Sequence, residues 1–283
     1  LALANASDYL PLNMIDVNGV GLEAGPGVAG LGMPPVATQW IEGAGDGALY
    51  RGRRVLSRDI DIPIQIWAPD RAGLESWMSR LYMMLAEPCD VRWVLETGEY
   101  WSVRAAFTGD SGYTTGRDTN GDDYLKIIVT LRAGDPLWKY SKANHVAASI
   151  DLSRGLLDGN SLTKLRVAPS QLQAEVTAAV DGDAPTWPVW EITGPLNTLT
   201  VVASDTAWFE WGGTLAAGQT LTVDPFARTV VDGTGANRYG QLAAGPRFFP
   251  LAPGSNRVLL GGNAIDTGTS VVCRWWPRRW AVV

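Results

Sequence analysis

Between Arg53 and Trp67, isoleucine falls on every second residue. Ile60, Ile62, Ile64 and Ile66 alternate with Asp59, Asp61, Pro63 and Gln65. A period of two puts all four β-branched side chains on one face, which predicts a strand with that face buried. Pro63 has no N–H for a ladder, so the strand is read as a sheet edge or as carrying a bulge. The period then changes. Asp70 stands where it can cap a helix over Arg71–Ala86, and Leu74, Trp77, Met78, Leu81 and Leu85 share one face of it. Pro88 stops that helix. Strands are predicted again at Val91–Leu95 and Tyr100–Phe107, joined through Thr97-Gly98-Glu99. A polar loop, Thr108–Asp122, leads to an alternating strand at Tyr124–Leu131. The unit closes on Gly134-Asp135-Pro136-Leu137-Trp138. One helix packed on antiparallel strands makes this first part α+β.

The flanks read differently. Residues 1–49 are rich in glycine and proline, and Gly25 to Pro35 cannot form a helix. An arm or irregular hairpin is expected there, with short strands at Met14–Val20 and Ala37–Ile41. Lys139–Leu165 is polar and weakly patterned. From Val176 onward short strands recur, among them Pro188–Thr193, Leu199–Ala203, Thr220–Val223, Asn256–Leu260 and Ser270–Trp276. Signals such as Gly194-Pro195, Asp232-Gly233 and Pro253-Gly254 separate them. That spacing predicts a β-sandwich or jelly roll. The chain is therefore expected to be mainly β, divided into a first domain over 1–140 with its N-terminal arm, a linker over 141–175 and a sandwich over 176–283.

At 283 residues the chain can bury two ordinary cores. Residues 1–140 carry 12 Lys and Arg against 18 Asp and Glu, while the remainder balances, so the whole net charge of −6 lies in the first part. An acidic surface argues against a nucleic-acid grip, which needs cations to displace counterions. Cys89 and Cys273 lie in different predicted domains, which fits two free thiols in a reducing compartment. The start, Leu1-Ala2-Leu3-Ala4-Asn5, lacks the basic segment and apolar length of a secretory signal. No apolar run reaches membrane-spanning length.

The motifs that could carry chemistry are weak. Gly25, Gly27 and Gly30 match a dinucleotide fingerprint, but Pro34 and Pro35 forbid the helix that the mechanism requires. Asp118, Asn120 and Asp122 have the spacing of a calcium loop, yet its glycine is misplaced and its twelfth position is Val129. His145 is the only histidine and has no clustered partners. No nucleophile elbow is present. No catalytic residue, cofactor site or metal site is assigned. Arg51, Arg53, Arg54 and Arg58 form a basic stretch, expected to pair with carboxylates within or between subunits. Trp275, Trp276 and Trp280 lie among arginines in the tail, and these residue types dominate interface hot spots. The same tryptophans could equally fill a sandwich core.

The order of these elements resembles the distal tail proteins of siphophages. The resemblance rests on the strand, helix, hairpin and strand closed by Asp135-Pro136-Leu137-Trp138. It rests also on Trp190-Glu191-Ile192-Thr193-Gly194-Pro195, on Gly218-Gln219-Thr220-Leu221-Thr222-Val223-Asp224 and on Phe249-Pro250-Leu251-Ala252-Pro253-Gly254-Ser255-Asn256. It spans roughly residues 10–276, and the Trp- and Gly-rich character is similar to minor tail proteins of actinobacterial phages.

What the resemblance implies is a structural, non-enzymatic virion protein at the tail tip, assembled in the host cytoplasm. It would form a homohexameric ring, with a galectin-like second domain. Its partners would be the tail tube protein and other baseplate or tail-fibre hub proteins, with DNA only in transit. Ring closure by sheet extension nominates Ile60, Ile62 and Trp67 as contact residues, together with Trp275, Trp276 and Trp280. A bore that DNA traverses nominates Asp118, Asp122 and Asp123 as lumen-facing. Two other readings stand beside it: a carbohydrate-binding module, in which exposed coplanar tryptophans would form a platform, and a cell-wall glycosidase, which needs two close carboxylates.

Overall fold

The computed structural model describes residues 1–109, 121–148 and 171–283; for residues 171–173 it gives the backbone alone. The chain divides into two compact units. The first is Leu1–Ser141 together with Arg279–Val283, and the second is Lys142–Arg278. The second unit is thus an insertion, entered and left through the first.

The first unit begins with β1 (Ala2–Ala4), β2 (Tyr9–Pro11), β3 (Asn13–Ile15) and β4 (Gly21–Ala24). A hairpin follows, β5 (Val36–Glu42) and β6 (Ala48–Val55). Next come β7 (Arg58–Trp67), α1 (Arg71–Leu85), β8 (Cys89–Val94), β9 (Tyr100–Phe107), β10 (Tyr124–Ala133) and β11 (Trp138–Tyr140). Neighbours in the main sheet run β2-β1-β8-β9-β10-β7-β4-β3, all antiparallel where paired. The isoleucine alternation does what the pattern predicts: Ile60, Ile62, Ile64 and Ile66 are wholly buried.

Two expectations about this strand need correction. Arg53–Val55 belongs to the preceding hairpin, so the strand starts at Arg58. It is also an interior strand. It pairs with β10 over its full length and with β4 over Ile64–Trp67. Nor does the strand carry a bulge, because its register with β10 runs through Pro63↔Ile128 without a shift. The missing N–H lies on the β4 side, where the neighbouring chain loops out. There Gly25 N donates to Pro63 O at 2.8 Å, and Ala29 and Asp61 exchange backbone bonds at 2.9 and 3.2 Å.

Helix α1 is held at its start by Asp70, whose carboxylate accepts the Gly73 N–H at 2.8 Å. Leu74, Leu81, Met84 and Leu85 bury against the sheet, while Trp77 and Met78 pack at its margin. Each fully buried aliphatic side chain contributes about 1.5–3 kcal/mol, so docking, rather than intrinsic propensity, fixes a helix this short.

The second unit is a sandwich. One sheet orders β12 (Asn144–Ala147), β20 (Ser270–Trp275), β14 (Val189–Thr193), β17 (Thr220–Asp224) and β18 (Thr229–Asp232). The other orders β13 (Gln171–Val180), β19 (Gly254–Asn263), β15 (Leu196–Ser204) and β16 (Ala207–Leu215). Trp190, Phe209, Trp211 and Trp275 fill the space between them. Asn256 shapes the Pro253-Gly254 turn: its Oδ1 accepts the Ala252 N–H at 2.8 Å, and its Nδ2 donates to the carbonyls of Ala252 at 2.7 Å and Gly254 at 3.1 Å. β12 and the first half of β13 fall where sequence reading expected only a linker.

Candidate assembly surface

The hairpin β5–β6 is the least self-sufficient part of the first unit. Among the described residues its strands pair only with each other, from Val36↔Val55 to Glu42↔Ala48, and Leu56 N closes its base on Pro35 O at 2.9 Å. The turn Gly43-Ala44-Gly45-Asp46-Gly47 makes the tip. Beyond Val36 every β5 residue is exposed. Trp40 is 58% exposed, Ile41 52%, Leu49 64% and Tyr50 47%. Trp40 and Tyr50 face each other across the ladder in an edge contact, ring centroids 5.1 Å apart. Ile41 and Leu49 form the next pair and therefore lie on the opposite face. A two-stranded ribbon is marginal in water, and this one presents large apolar groups on both sides.

The register slips between Gln39 and Trp40, which leaves Arg51 in a bulge. Arg51, Arg53 and Arg54 make no ion pair among the described residues, so the pairing expected for them within the subunit is not found. Outside the hairpin, the first 140 residues carry nine basic against 16 acidic groups. The ribbon is thus a cationic, aromatic element attached to an acidic body.

Arg58 behaves differently from its neighbours in the basic stretch. It is 1% exposed and meets no carboxylate. Its Nε donates to Pro136 O at 2.8 Å, Nη1 to Gly30 O at 2.7 Å and Gly32 O at 2.6 Å, and Nη2 to Trp280 O at 2.6 Å. The guanidinium lies 5.4 Å from the centre of the Trp138 ring. Burial pushes its pKa from the ordinary guanidinium value down to about 10. Gly30 has to be glycine here: at φ +82° a Cβ would sit 2.0 Å from Asp59 O. One buried cation therefore joins the glycine loop that leads towards the hairpin, the Asp-Pro-Leu-Trp closure and the returning tail.

The sequence-nominated residues scatter. Ile60 and Ile62 are core side chains of the first unit, and Trp275 is 3% exposed in the core of the second. None of the three can present its side chain to another subunit in this fold. Trp67 is half-buried against Tyr124 at 5.5 Å. Trp276 and Trp280 are half-buried, and their carbonyls accept Thr186 Oγ1 and Arg58 Nη2 respectively. Asp122 and Asp123 are exposed just before β10. Asp118 and Asn120 lie outside the described residues. The Gly25–Gly30 segment leads to the β5 strand and not to a helix. His145 sits in β12 opposite Arg274.

Residues 181–278 match the family model of the siphovirus-type tail component, C-terminal domain. The match covers 98 of the 283 residues and falls wholly within the second unit. No curated protein matches the chain in sequence. Among solved structures, the SPP1 Dit (gp 19.1) protein, described as a paradigm of hub adsorption apparatus in Gram-positive-infecting phages, superposes with a TM-score of 0.64. The match is at 13% identity over 91% of this chain and 93% of that one. Two structures of the phage p2 baseplate in its activated conformation, with Ca and with Sr, match at TM-scores of 0.52 and 0.53. Each is at 8% identity and covers 96% of both chains. The expected resemblance to siphophage distal tail proteins is borne out, and with it the mainly β fold of a tail-component protein. The hairpin carries its own sequence signal: apolar pairs Trp40-Ile41 and Leu49-Tyr50 flank a glycine-rich turn. The expected strand at Ala37–Ile41 is its first half; sequence reading does not separate the second half, Ala48–Val55, from the isoleucine strand.

Proposed function

We propose that this chain is a structural hub protein of a phage tail. Copies assemble through the first unit into a ring at the distal end of the tail tube, and the second unit carries baseplate or fibre proteins. It works by self-association and turns over no substrate. The observation that carries this reading is the β5–β6 ribbon: Trp40, Ile41, Leu49 and Tyr50 are exposed, and its arginines make no ion pair among the described residues. A second copy, acidic outside its own ribbon, supplies both. Burying four half-exposed apolar side chains contributes about 4 kcal/mol per contact, and a cyclic arrangement repeats that at every interface. The subunit count proposed is six, after the resemblance to siphophage distal tail proteins. The exposed Asp122 and Asp123 are proposed to face the bore, where like charge keeps DNA from adhering.

Analytical ultracentrifugation and electron-microscopic class averages of the purified chain test this. A closed annulus is expected, with Leu49→Glu reducing it to monomer while the circular dichroism spectrum stays unchanged. A chain that remains monomeric both alone and on tail tubes, or a Leu49→Glu variant that assembles as before, would overturn the proposal.

A further inference from the structure

The second unit holds a cavity of about 410 Å³ that the assembly reading does not use. It opens beside β16, and its wall includes the β18 turn and the segment after it. Its volume falls within the range of small-molecule sites. Trp211, 1% exposed, is its most deeply buried wall residue, and the indole N–H finds no acceptor among the described residues. Gln219, Thr220, Asp232, Arg238 and Gln241 complete the polar lining.

Hydrogen-bond accounting shows what these groups have left to offer. Asp232 has nothing spare: Oδ1 accepts the N–H groups of Thr234 and Ala236 and the Thr234 hydroxyl, and Oδ2 accepts Arg238 Nε at 2.8 Å. Its charge is matched by Arg238. Gln219 spends its oxygen on the Ala216 N–H at 2.8 Å and keeps its two amide protons. Gln241 keeps its whole side-chain amide, and Thr220 keeps its hydroxyl. Two glycines make room for them. A Cβ at Gly213 would lie 2.6 Å from Gln241 Oε1 and 2.2 Å from the Trp211 ring, and one at Gly233 would lie 2.5 Å from Thr220 Oγ1.

We infer that this cavity binds a neutral saccharide. The spare groups are amides and hydroxyls that both donate and accept, the chemistry of a polyhydroxylated ring. The carboxylate is saturated, which disfavours a cation. The lone guanidinium is paired through Nε with that carboxylate, so the two charges cancel, which disfavours an anion. The platform form of carbohydrate recognition finds no support, because Trp190, Trp211 and Trp275 are core residues. The recognition proposed here is by a concave polar pocket.

The test is nitrogen-15 NMR of the full chain, titrated to about 100 mM with glucose, galactose and N-acetylglucosamine, and in parallel with glucuronate and inorganic phosphate. At least one neutral sugar is expected to shift the amides of Gly218, Gly233 and Thr234 and the Gln241 side chain. Gln241→Ala and Thr220→Val each weaken that binding about three- to tenfold. Both residues are exposed, so the variants should melt with the parent. No shift with any neutral sugar, shifts with the charged probes only, or variants that bind as tightly as the parent would overturn the inference. None of these outcomes depends on whether a ring forms.

Discussion

Replacing Arg58 with alanine should unfold the first unit selectively. Four carbonyls, from Gly30, Gly32, Pro136 and Trp280, depend on this one guanidinium. Cutting a charge-assisted bond costs about 1.5–3 kcal/mol, or about 6–12 for the set. Two gains offset this. The drop in pKa to about 10 corresponds to about 3 kcal/mol of desolvation that alanine does not carry. The regained rotamer freedom is worth about 2 kcal/mol. The balance centres near 4 kcal/mol, in line with the loss of one partner from a buried ionic cluster. At about 2–4 °C per kcal/mol, the melting transition of the first unit falls by about 10 °C. Differential scanning calorimetry of the full chain reads this. Arg104→Ala is the comparator, since Arg104 is 59% exposed and pairs with Asp90 at 3.4 Å, which predicts a change under about 1 kcal/mol. If Arg58→Ala shifts the transition no more than Arg104→Ala does, the buried cation does not hold those segments together. Arg58→Lys should fall between the two, because three donors cannot serve four carbonyls.

Two further predictions concern titration and reactivity. Asp232 is held below its ordinary value of 3.8, first by the Thr234 hydroxyl and the Arg238 guanidinium. The ionised form is therefore favoured by folding; its contribution is complete above about pH 4 and is lost as pH falls through the folded value. Asp232→Asn should flatten the pH dependence of second-unit stability below pH 4 in urea titrations, and an unchanged slope would refute the assignment. Burial pushes the thiols of Cys89 and Cys273 up to about 11 and about 12. Both should resist a thiol reagent at pH 8 in the native chain and react once it is denatured; rapid native labelling would contradict their placement in the cores.

The parts of this fold that were legible in the sequence are those where one periodicity runs unbroken. The isoleucine alternation, the Asp70 cap, the strand at Tyr100–Phe107 and the recurring strands of the sandwich announce themselves locally. What stayed hidden depends on partners distant in sequence. Leu56-Ser57 breaks the chain between β6 and β7 without a glycine or proline, so two strands read as one. Asn144–Ala147 is polar, and becomes a strand by pairing with Val272–Trp275. The edge reading of Pro63 failed because no local signal tells that β4 returns alongside. Trp275 and Trp276 are adjacent and chemically alike, yet alternation sends the first into the core and leaves the second half-buried. For the assembly surface, an arm or irregular hairpin with a strand at Ala37–Ile41 is expected and β5 matches that strand; its partner β6 stays hidden because its last residues read into the isoleucine strand.

The insertion of the second unit within the first has a mechanical consequence. Tension applied to the inserted body reaches the first through two covalent strands, near Ser141 and near Arg279. Severing either one alone leaves the other intact. Two cuts, not one, are therefore needed to part the inserted body from the rest of the chain.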